Sequence, residues 1–145
     1  MLKFIICGRD IVVERYEGII NAVPFAQQLG FHVISSEDIG ALFELAPADR
    51  FIGNPMLRAF HGGIICSLME CAMVATVMRA AELGSPPGLI TQTTSFLGNT
   101  TVDLPLRVRT ELTKSGKRIV GVSARAFQDA NETPVAKCSS LYRAV

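Results

Sequence analysis

Little in this chain speaks for metal or disulfide chemistry. It holds two histidines, His32 and His61, and no ligand spacing joins them. Its four cysteines, Cys7, Cys66, Cys71 and Cys138, contain no CxxC pair. Cys66 and Cys71 lie five residues apart in one apolar segment, so on a helix they point to different faces. They read as small core hydrophobes in a reducing cytoplasm. Charge is also scarce. Only 19% of residues are charged and the net charge is +1, which leaves no global field directed at nucleic acid or an anionic membrane. The apolar run at the N-terminus is too short for a signal peptide, and no small-residue cleavage site follows it. Repeats, linkers and low-complexity tracts are absent too.

What is abundant is apolar residues, 49% of a 145-residue chain, enough for one domain over residues 1–145 with a real core. They concentrate in one stretch. His61-Gly62-Gly63 opens a run of strong helix formers, Ile64 to Met78, that contains a single charge, Glu70. A helix that is apolar all round is buried on all sides. At about 15 residues the run is short of the roughly 20 needed to span a bilayer, so it reads as a core helix wrapped by the rest of the chain. Glu70 is then the anomaly. A carboxylate in apolar surroundings needs a partner or a purpose, and acids of this kind concentrate at functional sites. A Glu that snorkels out, or makes a structural hydrogen bond, fits the local pattern equally well. The glycine pair marks a helix start whose first N–H groups lack intrahelical acceptors and can donate to a polarised carbonyl oxygen.

Around this helix the chain reads as an α+β domain. Residues 10–29 form a helical segment, with Asp10 as cap, Ile11, Ile19, Ile20, Val23 and Phe25 as a loose apolar stripe, and Pro24 as a break. Residues 31–36 and 41–46 read as two strands, with His32 on the first and no role assigned to it. Residues 47–60 read as a loop. The long helix runs to about Glu82, with Gly84 as its C-cap and Ser85-Pro86-Pro87-Gly88 beyond. Four strands follow: residues 89–97; 104–113, with Leu104, Leu106, Val108 and Thr110 on one face; 118–128, after a Ser115-Gly116 turn; and 134–144, after a turn at 129–132. Short connections make the strands antiparallel, and one antiparallel sheet of about six strands curled over one helix is the expected architecture. Its edges and the uncovered helix face ask for a second subunit.

His61-Gly62-Gly63, followed by Leu68 and by Glu70 nine residues after the histidine, resembles the hotdog-fold acyl-CoA thioesterases. The similar branch is the phenylacetate-degradation thioesterase-like and Arthrobacter-type 4-hydroxybenzoyl-CoA thioesterase group. The likeness extends from about Pro24 to the C-terminus. It implies a hotdog fold, a CoA thioester as substrate, no separate cofactor and no metal, and assembly as a dimer and further as a dimer of dimers. It also implies site residues. The amide of Gly62 would bind the thioester carbonyl, and Glu70 would be nucleophile or general base. His61 and Gly63 belong to the same helix opening, and a polar side chain before the helix, here Asn54, would orient thioester or water. The chain departs from the pattern at two places. Pro55 stands six residues before the histidine, with Asn54 at seven and Arg58 where glycine is common. Val74 stands one turn after the acid, where relatives place Ser or Thr, which leaves Thr91 or Thr93 to supply a hydroxyl.

Simple geometry adds a constraint. Gly62 and Glu70 are eight residues apart, roughly 12 Å along a helix axis, whereas attack needs about 3–3.5 Å. One helix cannot supply both groups to one carbonyl. Two antiparallel helices from two subunits can, which predicts two composite sites per dimer. The phosphates of CoA ask for basic residues outside the cleft, and Lys114, Lys117, Arg118 and Arg58 are candidates. Phe51, Ile52, Met56, Leu57 and Phe60 could line an acyl pocket or form dimer core. A non-catalytic acyl-CoA binder of the same fold is the alternative. A dehydratase acting on carrier-protein substrates would separate its histidine and Glu more widely.

Overall fold

The computed structural model describes residues 8–144. Cys7 lies outside them, as does the side chain of Ile11. The elements are α1 (Gly8–Ala22), α2 (Pro24–Leu29), β1 (His32–Glu37), β2 (Gly40–Leu45), a 3-10 turn (Asp49–Phe51), β3 (Ile52–Asn54), β4 (Ala59–Phe60), α3 (Gly62–Ala80), β5 (Gly88–Phe96), β6 (Leu106–Ser115), β7 (Ile119–Phe127) and β8 (Ala136–Arg143). Six strands form one antiparallel sheet in the order β1-β2-β6-β7-β8-β5, while β3 and β4 make a separate short ribbon. The region read as a loop before the long helix therefore contains a small hairpin.

Period-two patterning sets which face of the sheet meets α3. Along β8, Ala136, Cys138, Ser140 and Tyr142 are buried and the residues between them are exposed. In β6, Leu106, Val108 and Thr110 point inward, as their alternation with Arg107, Arg109 and Glu111 requires. Leu104, expected on that face, precedes the strand and is exposed. Helix α3 lies against β2, β6, β7 and β8, and α1 and α2 pack on it from another side. Leu68, Met69, Ala72, Met73 and Val77 are fully buried at this junction.

Inside the layer, one polar ladder is sealed. Thr76 Oγ1 donates to the Ala72 carbonyl at 2.9 Å and lies 2.7 Å from Thr110 Oγ1. The Thr110 hydroxyl also accepts from the Ala41 N–H at 3.1 Å. These bonds satisfy every hydroxyl that the helix brings against β6 and β2, as buried polar groups require.

Two local expectations are corrected, at Asp10 and Gly84, and one is borne out. Asp10 is not the cap of the first helix, because α1 already includes Gly8 and Arg9. Pro24 breaks the segment as expected, and it opens a second helix at its first position, where its missing N–H costs nothing. Gly84 is not the C-cap of α3. Glu82 takes the left-handed conformation (φ 51°), the Leu83 N–H donates to the Met78 carbonyl at 2.9 Å, and the Glu82 N–H donates to the Arg79 carbonyl at 3.4 Å. This is a Schellman end with Glu in the glycine position.

The burial of α3 also differs from the all-round burial expected. The helix is 19 residues long, apolar enough by length and composition to cross a membrane, and half of its most apolar window is buried inside the protein, as in a core helix. A stripe is left partly open: Cys66 and Ser67, then Glu70 and Cys71, then Val74. The spacing of three to four residues puts them on one side of the helix.

Candidate active site

The opening of α3 is built by its own sequence. His61 is the N-cap in extended conformation, and its Nδ1 accepts a hydrogen bond from the Gly63 N–H at 2.9 Å. The Ile64 and Ile65 N–H groups donate to the His61 carbonyl. Among the described residues, nothing accepts from the Gly62 N–H. One amide is thus left for a ligand, at the positive end of a five-turn helix. The role of His61 is to occupy the neighbouring amide and hold the turn. A Cβ at Gly63 would come within 2.9 Å of its imidazole, so the second glycine keeps that cap intact. Upstream, the His61 N–H donates to the Phe51 carbonyl at 2.8 Å, and a Cβ on Gly53 would meet the His61 Cα at 2.5 Å. Only glycine lets β3 pass so close to the helix start.

Glu70 sits two turns further on, half-buried on the open stripe, with no hydrogen bond or ion pair to the described residues. It forms part of the wall of a cavity of about 230 Å³. Ile19 and Ile20 of α1, Phe25 and Ala26 of α2 and the Val23 between them line that cavity, with Cys71, Val74 and Ala75 from α3. Pro86, Pro87, Leu89 and Tyr142 close the remaining side. Burial, helped by the charge of Glu70, pushes the Cys71 thiol up to about 11, so it stays protonated at neutral pH and is a poor nucleophile. Burial raises the Tyr142 phenol too. Glu70 is the one described acid of α3 and the one described carboxylate lining the cavity.

The other candidates fall in different places. Asn54 is exposed, and its Oδ1 accepts from the Met56 and Leu57 N–H groups at 3.0 and 3.3 Å, closing the turn between β3 and β4. Arg58 takes a left-handed conformation (φ 49°), and its guanidinium bonds to Asp49 at 2.7 Å and Asp103 at 2.8 Å. Its charge is already matched. These two residues shape the loop before α3: an Asx turn and an ion-paired arginine fix a hairpin there. Phe60 and Phe51 are buried and stacked with centroids 6.1 Å apart, which makes them core residues. Met56 and Leu57 at the hairpin tip are 94% and 64% exposed.

Thr91 and Thr93 pair with Leu141 and Ser139, whose side chains lie on the outer face of the sheet, so both threonines point away from α3. The inward residues of β5 are Gln92 and Thr94, opposite the buried Ser140 and Cys138. Ser140 Oγ donates to Gln92 Oε1 at 3.4 Å, and Thr94 Oγ1 donates to Cys138 Sγ at 3.3 Å. Sequence reasoning missed these two. A β-bulge between Leu89 and Thr91 shifts the register of the strand by one, and alternation counted from Leu89 therefore selects the wrong threonines.

The basic residues occupy the far end of the domain. Lys114, Lys117 and Arg118 are exposed around the β6–β7 turn, where Gly116 and Lys117 lie beside Ala80 and Ala81 at the end of α3. Arg143, opposite both Gly88 and Ile119, joins them. Gly62 is at the other end, where a Cβ on it would lie 3.4 Å from the Phe96 ring.

The family model for the acyl-CoA thioesterase N-terminal domain matches residues 53–142, and the chain belongs to that family. The matched segment begins at Gly53 and includes the helix opening, Glu70 and all of β5–β7. Solved structures agree on the fold. A protein from the thioesterase superfamily superposes with a TM-score of 0.82 at 24% identity, covering 92% of this chain and 98% of its own. Zebra fish thioesterase superfamily member 2 gives 0.79 at 14% identity, over 96% and 99%. A phenylacetic acid degradation-related protein from Ralstonia eutropha gives 0.75 at 20%, over 89% and 98%. The domain is a hotdog fold, as the resemblance at His61-Gly62-Gly63 and Glu70 implied. Among curated proteins no sequence match is found.

Proposed function

We propose that the protein hydrolyses an acyl-CoA thioester to free acid and CoA. The observation that carries this reading is the pairing of one unoccupied helix-opening amide, Gly62 N–H, with one half-buried, unpartnered carboxylate, Glu70, on the open side of the same helix. The amide polarises the thioester carbonyl and stabilises the oxyanion that forms on attack. Glu70 either adds to the carbonyl carbon, giving an anhydride that water then opens, or removes a proton from an attacking water. CoA leaves as the thiolate.

The reaction is assembled across a two-fold axis. Gly62 and Glu70 of one helix are roughly 12 Å apart along the axis, so each Glu70 serves the partner's Gly62. Strand β5 supports this arrangement. It ends the sheet, its outer edge has no partner among the described residues, and it exposes Leu89, Ile90 and Phe96. An unpaired edge of nine residues is a template for a second strand. Antiparallel pairing with the partner's β5 would set the Gly88 end of one strand beside the partner's Phe96. The partner's Gly62 then faces the cavity that holds Glu70. The same operation carries Lys114, Lys117, Arg118 and Arg143 to the rim of the partner's site, where CoA phosphates need them.

One observation favours a second reading. Asn54 is consumed by a turn, and Thr91 and Thr93 face outward, so none of the three is placed to hold a water. A binder that holds acyl-CoA without cleaving it would show this. A free-thiol assay over a series of acyl-CoAs separates the two. Turnover that falls by several orders of magnitude in Glu70→Gln, with the fold unchanged, supports hydrolysis; near-normal turnover in that variant refutes the mechanism, and tight binding without any turnover establishes the binder.

A further inference from the structure

The cavity beside Glu70 has an unusual wall. Five of its lining residues come from α1, α2 and the Val23 between them, all of which precede the segment that matches the family model. Ile19 and Val23 are only half-buried, and Phe25 is exposed at the mouth. The lining is otherwise Val74, Ala75, the two prolines and Leu89, with a protonated thiol at Cys71 and the buried Tyr142. Among the described residues no cationic side chain lines it, and Glu70 is its one carboxylate.

We propose that this cavity receives the acyl tail of the thioester, and that the N-terminal helices set how long that tail can be. The inference rests on the reading of Glu70 above, which puts the reacting carbonyl at the cavity mouth. A chain running inward from that carbonyl meets mostly apolar surface, broken by the Cys71 thiol and the Tyr142 phenol. The volume of about 230 Å³ suits a short to medium aliphatic tail, roughly six to eight carbons when each carbon needs about the 30 Å³ share of a water molecule. A tail ending in a carboxylate is disfavoured twice, by burial without a cation and by repulsion from Glu70. Length selection arises because carbons beyond the wall formed by Ile19, Val23 and Ala26 gain no further burial.

The test uses the whole protein and non-hydrolysable S-alkyl-CoA thioethers of two to fourteen carbons, with affinity measured by calorimetry. Each added carbon should tighten binding roughly three- to fourfold until about eight carbons, after which affinity is flat. Val74→Phe, on α3, and Ile19→Phe, on α1, should each move the plateau about two carbons shorter; Ile19→Ala should move it longer. An ω-carboxylated tail of eight carbons should bind at least tenfold more weakly than its methyl-ended counterpart. The proposal is overturned by affinity independent of tail length, as when an element of a second copy fills the cavity, by a plateau that stays put in folded Val74→Phe and Ile19→Phe proteins, or by no binding of any analogue. Length-dependent binding in a protein that shows no turnover would sustain this inference and remove the hydrolase reading; turnover with length-independent binding would do the reverse.

Discussion

The shared site can be tested by giving each subunit one lesion. Glu70→Gln removes the carboxylate. Gly62→Pro removes the free N–H, and does so at the first helical position, where proline fits and no intrahelical bond is lost. The preceding residue, His61, has φ −62° and ψ 131°, which a following proline favours. Loss of one oxyanion donor costs roughly 10²–10³ in turnover, so each homodimer should be nearly inactive. Subunits exchanged at equal concentration give about half heterodimers for a two-fold dimer with indifferent pairing. In a heterodimer one site carries both lesions and the other carries neither, because the Glu70 of the proline subunit meets the Gly62 of the glutamine subunit. The mixture should therefore recover about a quarter of wild-type turnover. If Glu70 and Gly62 acted within one chain, every site would carry a lesion and recovery would be near zero. The assay is thiol release after exchange, with differently tagged subunits and native mass spectrometry counting the heterodimer. Recovery below a few per cent, with heterodimer present at about half, refutes the composite site.

Three further outcomes follow from named contacts. Thr110→Val removes a hydroxyl that serves Ala41 and Thr76, leaving a buried N–H unpaired, and should cost about 1–3 kcal/mol in a denaturant titration. Arg109, with help from Arg125, holds the Glu132 carboxyl down to about 2, so the pairing is fully present above about pH 5 and is lost as pH falls through about 2. Because the pair is partly open to solvent, Glu132→Gln should cost no more than about 1 kcal/mol at pH 7, and the melting-temperature gap to wild type should close by about pH 2; a gap that persists there is the contrary result. Charge reversal at Lys114, Lys117 and Arg118 should raise KM for acyl-CoA roughly threefold per residue, with kcat little changed and the effect shrinking as salt rises. Loss of kcat instead would place these residues in the chemistry.

The acid on the apolar helix, the glycine pair at its start and the order of helices and strands were all legible in the sequence, because each is a local signal. A helix opening needs only its own cap and glycines, and a lone Glu among aliphatic residues stands out by contrast. The faces of β6 and β8 were legible for the same reason, since alternation is a period of two. Reading failed where one residue of register mattered. Thr91 and Thr93 looked suitable until the bulge beside Leu89 turned them outward and brought Gln92 and Thr94 in. Asn54 and Arg58 looked like site residues, but short-range polar bonding claimed them for a turn and an ion pair.

The layout of the helix was therefore determined by sequence alone: a glycine-opened tip, a carboxylate two turns on, and roughly 12 Å between them along the axis. Only tertiary structure decided what surrounds that carboxylate. The cavity wall joins residues 19–26 to residues 70–75, 86–89 and 142, which no local pattern relates, because packing brings together side chains far apart in the chain.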